Sequence, residues 1–351
     1  MQSSGYADLV GHFARHSTIY NGEIMIRKAT FAGAAAISLL SACASIVSTC
    51  AFAQTADWPI KPIRIIVHHP AGFGADINVR KMAPQLTQLL GQPVVVENRP
   101  GGGGRIAATE GVRSAADGYT FFTATNETLY FLPFAGAKLA YDAEKDITSV
   151  ALFSLIYPLL VVGEKSPVKQ FSDFAKLGRP PTLGVLGLGG FYEAHGYSFS
   201  RALRQPFTLV PYGSKSPTLE VVGGNIDASL MFGAEADGLV ESGKIRVIAA
   251  TNPAGNPRYT TAPALARLVG DSFDLPGWAV LAAPAATPAA IVSKMRDAVN
   301  STLVTEPYKS WSERPGSIPP PVLDAAALAQ FLAQQKRDVA EVVKRANLKT
   351  E

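Results

Sequence analysis

The sequence predicts an α/β protein of two lobes, each built on a mainly parallel β-sheet flanked by helices. Short β-branched apolar runs alternate with segments of helical periodicity along most of the chain. Its 351 residues exceed the size of one ordinary domain. Hydrophobic residues make up 47% and charged residues 17%, a composition typical of a compact protein with a large core. We therefore expect two folded lobes.

The first predicted unit shows how the elements are assigned. Ile63–Val67 is a short apolar run that predicts a buried strand, and Pro70–Gly72 predicts the turn after it. Asp76 can cap the next helix, whose apolar residues recur at helical spacing until Gly91. This order of strand, helix and strand predicts parallel pairing. Further strands are expected at 93–97, 119–124, 159–162, 183–186, 208–210, 228–231, 246–250 and 280–283, and helices at 106–115, 288–303 and 325–346.

The N-terminal segment predicts export to the periplasm by the Sec route. Residues 25–53 combine a basic start, an apolar run and small residues ending at Ala53, which is typical of a signal peptide cleaved after Ala53. Residues 1–24 are then an untranslated or disordered leader. One alternative is a membrane anchor, for which the apolar run is short. The other is lipidation of Cys43, which ends a lipobox-like Leu-Ser-Ala-Cys. Cleavage at Ala53 is favoured because apolar sequence continues through Val47.

Composition and motifs argue against several function classes. Lys and Arg are dispersed among nearly as many acids, so the net charge of +4 does not indicate nucleic-acid binding. The two cysteines are N-terminal, and there is no G-x-S-x-G or H-E-x-x-H motif. His68 and His69 stand at a predicted strand end, so their side chains should point to opposite faces and not share one ion. His195 is expected to be a surface or capping histidine. We therefore expect neither enzymatic activity nor a bound metal.

Two glycine-rich turns invite a ligand-binding interpretation. Pro70–Asp76 lies between a strand and a helix, where backbone N–H groups and the helix dipole favour an anion, although a plain tight turn is the simpler alternative. Gly102–Ala107 fits G-x-G-x-x-A, the dinucleotide fingerprint, with Glu127 as the acid that should follow. The fingerprint lies in the second unit and not the first, and an export signal argues against such a cofactor. No cofactor is therefore expected.

The chain resembles the Bug-type receptors, the extracytoplasmic substrate-binding proteins of tripartite tricarboxylate transporters. Nine stretches occur in the family's order over residues 58 to about 345, and together they are specific although none is decisive alone. They are 58–67, 94–104, 117–120, 141–142, 145–146, 210–217, 223–227, 243–249 and 283–288.

The resemblance implies a type II periplasmic-binding-protein fold with a hinge between its lobes. Residues 57–155 plus 278–351 would form lobe 1, and residues 156–277 would form lobe 2. The family captures small carboxylates, amino acids or aromatic acids in the cleft between the lobes, without metal or cofactor. The implied partners are the ligand and membrane transporter subunits, although an orphan or sensory role is open. We expect a monomer. The competing hypothesis is a secreted α/β hydrolase acting on an ester or amide of a small acid.

Four cleft loops are carried over from the family: 73–76, 125–128, 187–192 and 212–216. The chain departs from the family there, because Phe73 replaces a glycine, Ala75 replaces a hydroxyl residue and Gly187–Gly189 replaces a serine-rich stretch. Gly233 replaces an acid that family members often carry, which argues against an α-amino ligand. The candidate ligand-binding residues are His69, Phe73, Gly74, Ala75, Asp76, Thr125, Asn126, Gly187, Gly189, Phe191, Tyr212, Ser214 and Lys215.

Two questions about these residues stay open at the level of sequence. Phe73, His69, Phe191 and Tyr192 either line the cleft with apolar surface, on which an aromatic ring would stack, or pack between loops. Lys215 either pairs with a carboxylate or is a solvated lysine at the rim. The expected ligand is a small carboxylate with an aromatic or apolar body.

Overall fold

The computed structural model describes residues 58–350, except 73, 214, 270–274 and 313–317. The strands in this part of the chain are β1 (Ile63–Val67), β2 (Val94–Asn98), β3 (Thr120–Thr125), β4 (Ile147–Ile156), β5 (Leu159–Gly163), β6 (Thr182–Val185), β7 (Thr208–Pro211), β8 (Ala228–Met231), β9 (Ile245–Ala250) and β10 (Gly277–Pro284). The α-helices are α1 (Gly74–Leu90), α2 (Arg105–Val112), α3 (Leu132–Phe134), α4 (Phe191–Leu203), α5 (Thr218–Gly223), α6 (Gly233–Glu241), α7 (Leu265–Val269), α8 (Ala289–Leu303), α9 (Glu306–Ser312) and α10 (Ala325–Ala346).

The strands form two five-stranded sheets with the same internal plan. The first sheet has the order β2-β1-β3-β10-β4 and the second has the order β7-β6-β8-β5-β9. In each sheet three neighbouring strands are parallel, and the last two pairings are antiparallel. The α/β fold with two lobes is confirmed. Each sheet is mixed, because one strand, β10 in the first sheet and β5 in the second, runs opposite to the other four. Strand–helix alternation does not fix the direction of a strand that arrives from the other lobe.

The chain passes between the sheets at two places. Residues 157–158 join β4 to β5, and the segment after β9 returns to the first sheet at β10. The two passages are hydrogen-bonded to each other, since the backbone N–H and the hydroxyl of Thr251 both donate to the carbonyl of Pro158, at 3.1 and 2.9 Å. Thr251 is buried. This bonding holds the two crossing segments side by side.

Three apolar clusters of described residues form part of the cores. One covers the first sheet and includes Phe122 and Val280 together with Leu328 and Val339. The second sheet carries the other two clusters. Phe191, at the start of α4, belongs to the cluster of the first sheet, although α4 follows β6 of the second. Apolar packing therefore continues from one lobe to the other at the start of α4.

Most predicted elements lie within a few residues of their observed bounds, and β1 and α10 match at both ends. The ten-residue strand β4 was not predicted. It is long because it pairs with the whole of β10, where two register shifts interrupt the ladder. None of the helices in the described part of the chain has the length and apolarity needed to cross a membrane.

Candidate ligand-binding cleft

The loop after β1 is held by a buried carboxylate. Asp76, which is 1% exposed, accepts hydrogen bonds from the Gly72 N–H at 2.8 Å, the Arg80 guanidinium at 2.9 Å and the Asn98 amide at 2.8 Å. Burial alone would raise the pKa of Asp76, but these donors outweigh it and the pKa lies below its ordinary value. Asp76 was predicted to contact ligand, and the structure engages both of its oxygens inside the protein.

The other described residues of this loop pack around His69. The His69 Nδ1 atom lies 3.2 Å from the Ala75 N and accepts its N–H, and a methyl group placed on Gly74 would lie 3.9 Å from the same atom. Burial lowers the pKa of His69 to about 4, although Asp76 opposes the shift. The imidazole is therefore neutral near neutral pH, and it serves as an acceptor for the loop. Phe73 lies outside the described residues.

The expectation that His68 and His69 point to opposite faces is wrong. Their ring centroids are 4.1 Å apart. Strand β1 ends at Val67, so the alternation of strand side chains does not extend to these two residues. The His68 Nδ1 lies 2.6 Å from the Thr123 hydroxyl, and the described residues include no group of three potential metal ligands around them.

Hydrogen bonds from its own side chains hold the loop after β3. The Thr125 N–H donates to the Thr128 hydroxyl at 2.9 Å, and the Thr128 N–H donates to the Thr125 hydroxyl at 3.3 Å. Asn126 accepts the Glu127 N–H and donates to the Pro276 carbonyl at 3.0 Å. Asn126 is thus placed where the returning segment enters β10. A π-helical turn, Glu127–Phe131, follows.

The loop before α4 brings acidic side chains to backbone N–H groups. The Phe191 N–H donates to Glu127 at 3.0 Å, and the Gly189 N–H donates to Glu193 at 2.5 Å. Gly189 has a φ of 81°, which glycine adopts without strain. A methyl group on Gly187 would meet no atom within 4 Å, so this position faces open space. At these two positions the backbone N–H donors are engaged by side chains of the protein itself.

The aromatic residues at the start of α4 pack between the lobes. Phe191 is 6% exposed and makes edge-to-face contacts with Phe131 and Tyr192, at centroid distances of 6.5 and 5.3 Å. Tyr192 packs against the cores of both sheets. Phe191 therefore follows the second of the two alternatives, packing between loops.

His195, expected at the surface or as a cap, is buried at 1% exposure. Its Nδ1 lies 2.8 Å from the Phe191 carbonyl, one helical turn earlier. Burial lowers its pKa to about 4, against the opposing effect of that carbonyl. The expectation was wrong because α4 is covered on this side by the Phe191 and Phe199 rings.

The fourth loop follows β7. The Tyr212 N–H donates to the Val185 carbonyl at 2.8 Å, and the Lys215 N–H donates to the Tyr212 carbonyl at 3.2 Å. Lys215 is exposed. Ser214 lies outside the described residues. At the end of this loop, the Ser216 hydroxyl donates to Glu235 at 3.0 Å, so an acid two residues after Gly233 lies against the loop.

The glycines of the G-x-G-x-x-A stretch serve close packing. A methyl group on Gly104 would lie 2.8 Å from the Thr128 methyl, and one on Gly103 would lie 3.3 Å from the Glu127 Cγ. Glu127, considered in the sequence only as a partner for a dinucleotide, instead reaches the start of α4. Sequence reasoning missed its role because 64 residues separate it from Phe191.

Comparisons with known proteins agree with this architecture. The chain is 31% identical to a protein described as a periplasmic transporter, with a TM-score of 0.74 over 83% of this chain and 99% of that one. It is 27% identical to MatC from Rhodopseudomonas palustris, solved with bound malate, with a TM-score of 0.72 over 82% of this chain and 100% of that one. A second R. palustris protein, solved with adipate, is 25% identical, with a TM-score of 0.73 over 83% and 99%.

The family comparison covers most of the chain. Residues 78–348 match the family described as tripartite tricarboxylate transporter family receptor. The match spans the second sheet, four of the five strands of the first sheet, and the loops before α4 and after β7. The chain therefore belongs to this family of transporter receptors.

Proposed function

We propose that the chain is an extracytoplasmic solute-binding receptor that captures a small carboxylate in the cleft between its lobes by domain closure. The observation that carries this proposal is the start of α4, where backbone from the second sheet's lobe meets Glu127 and Phe131 of the first. A ligand that contacts both sides stabilises the closed state by its differential affinity. The MatC relative solved with malate and the second R. palustris relative solved with adipate support a carboxylate.

The lobe boundaries and the site residues belong to the same proposal. We place lobe 1 at residues 57–155 plus 278–351 and lobe 2 at residues 156–277, with the hinge at the segments that Thr251 and Pro158 join. Ligand would lie between the loops after β1, β3, β6 and β7. The proposed ligand contacts come from all four loops. They are His69, Gly74 and Ala75 in the first loop, Thr125 and Asn126 in the second, Gly187 and Gly189 in the third, and Tyr212 and Lys215 in the fourth.

Delivery to a tripartite tricarboxylate-type transporter completes the proposed function, with export through the signal peptide of residues 25–53. The protein would bind and release its ligand without catalysing a reaction. The hydrolase alternative gains no support from the described residues. The His68 ring contacts the Thr123 hydroxyl, but Thr123 is 0% exposed and cannot reach a substrate. A nucleophile and its base must be accessible together.

Isothermal titration calorimetry on the chain from Gln54 onward tests the proposal. The panel contains benzoate, nicotinate, hexanoate, malate, adipate and several amino acids. We expect one-to-one binding of a small carboxylate. Binding restricted to charged amino acids would contradict the ligand class. The absence of binding, together with turnover of esters or amides of these acids, would favour the hydrolase.

A further inference from the structure

The side chain of Glu127 lies between two glycines, one in the lobe of the first sheet and one in the lobe of the second. On one side is Gly103, where a methyl group would lie 3.3 Å from the Glu127 Cγ. On the other side is Gly190, where a methyl group would lie 2.0 and 2.4 Å from the two carboxylate oxygens. Any side chain at Gly190 would overlap the carboxylate. Glu127 therefore fills the space between the lobes at this point.

The carboxylate is also bonded to the opposite lobe. It accepts the Phe191 N–H at 3.0 Å, the position at which an anionic ligand meets the beginning of a helix. Burial raises the pKa of Glu127 to about 7, while the Phe191 N–H and Arg105 act in the opposite direction. Because this pKa is close to neutrality, Glu127 is predominantly charged only above about pH 8.

Further acids surround the same place. Glu193 accepts the Gly189 N–H in the loop just before α4. Burial raises the pKa of Tyr192, and the charges of Glu127 and Glu235 raise it further, so both acids act on this ring. A ligand group that approaches here meets carboxylates and aromatic surface. A second ligand carboxylate would be repelled, and the Phe191 N–H would not be available to it.

We propose that Glu127 is a specificity-determining residue that occupies the place of a second ligand carboxylate and restricts this receptor to monocarboxylates. The proposal rests on the proposed function and deepens it. The ligand presents its one carboxylate to the other loops and an uncharged, apolar body to Glu127 and Tyr192. The relatives solved with malate and adipate hold dicarboxylates, so this chain should differ from them in ligand charge.

The test compares acids that differ only by a second carboxylate, namely hexanoate with adipate and benzoate with terephthalate. Calorimetry is performed at pH 8.5, where Glu127 is charged, on the wild-type chain from Gln54 and on Glu127→Ala. For at least one pair we expect the wild type to bind the monocarboxylate about tenfold or more tighter, the ratio that like-charge repulsion at close range produces. In Glu127→Ala, the affinity for the paired dicarboxylate should rise about tenfold while that for the monocarboxylate changes less than about threefold.

Two further variants sharpen the result. Glu127→Gln keeps the shape and removes the charge, so it should recover part of the dicarboxylate affinity if repulsion contributes. Glu164→Ala removes the same charge from a glutamate that pairs with Arg246 outside the four loops, and its selectivity should match the wild type. Thermal unfolding of each variant confirms that it is folded.

The outcomes separate the two proposals. If the wild type binds dicarboxylates as tightly as monocarboxylates, or if Glu127→Ala leaves the ratio unchanged, carboxylate capture stands and the role of Glu127 is wrong. If no acid of the full panel binds the wild type, both proposals are wrong.

Discussion

The carboxylate of Glu127 lies directly over the backbone of Gly190, so close that a methyl group at Gly190 would overlap it. Gly190 has a negative φ of −143°, so the need for glycine comes from this contact and not from a left-handed backbone. One contact between two loops thus joins the lobes and sets the space that a ligand can use.

This contact predicts a coupling between the two positions. Gly190→Ala should lower the free energy of unfolding by about 1–3 kcal/mol, because the new methyl group overpacks the site. In the Glu127→Ala background the same substitution should cost less, since the overlapping carboxylate is gone. A double-mutant cycle by urea denaturation should give a coupling of about 1 kcal/mol or more. Additive effects would show that the two residues do not touch in solution.

The Asp76 carboxylate predicts a large effect on stability. Asp76→Ala leaves the Gly72 N–H, the Asn98 amide and the Arg80 guanidinium without their shared acceptor. We expect a loss of about 2–4 kcal/mol, because hydrogen bonds to a charged group contribute strongly and the partners lose their acceptor. The matched control Asp297→Ala, on the exposed face of α8, should change stability by less than about 0.5 kcal/mol. Equal effects of the two variants would contradict a special role for Asp76.

His195 predicts that the protein loses stability in acid. Its pKa is lowered from 6.5 to about 4 by burial, so the unfolded chain binds a proton that the folded chain does not between these values. The free energy of unfolding should therefore fall as the pH drops from about 6.5 to about 4, by about 3 kcal/mol from this residue. Above pH 6.5 both states are neutral and the contribution is constant.

The measurement is urea unfolding of the wild type and His195→Gln at a series of pH values. The variant should show a shallower decline, by close to one proton per molecule near pH 5. A decline of the same slope in both proteins would show that His195 is not the group responsible. His69, with its pKa also lowered to about 4, should account for a further part of the slope.

Export is predicted by the N-terminal sequence alone, which lies outside the described residues. When residues 25–351 are expressed with their own leader in a Gram-negative host, the mature chain should begin at Gln54 in the periplasmic fraction. The intact mass measures this directly. A lipidated chain beginning at Cys43 in the membrane fraction would contradict cleavage after Ala53.

The sequence predicted the elements better than their assembly. Local patterns placed β1 and α10 at their observed bounds because burial periodicity and caps are properties of neighbouring residues. They did not reveal β4 or the antiparallel pairing of β10, since strand direction depends on where the chain comes from. At the site, the side chains of His68 and His69 were wrongly expected on opposite faces, because β1 ends at Val67, two residues before His69.

The roles of the acids at the site could not be predicted from the local sequence. Glu127 and Phe191 are bonded across 64 residues of sequence, and nothing in either neighbourhood indicates the other. Asp76 was predicted as part of the first loop and lies in the first turn of α1, and its engagement by Arg80 and Asn98 depends on how α1 packs beside β2. The family resemblance, in contrast, is confirmed by the match over residues 78–348, because nine ordered stretches carry information that no single motif does.

Native mass spectrometry of the mature chain tests the central claim most directly. With each acid of the panel added in turn, we predict a complex of one chain with one small monocarboxylate, lost when the chain is unfolded. At the same concentration, the complex with the paired dicarboxylate should be markedly less populated. A spectrum that shows no bound acid at any concentration across the whole panel would contradict the claim that this protein captures a carboxylate between its lobes.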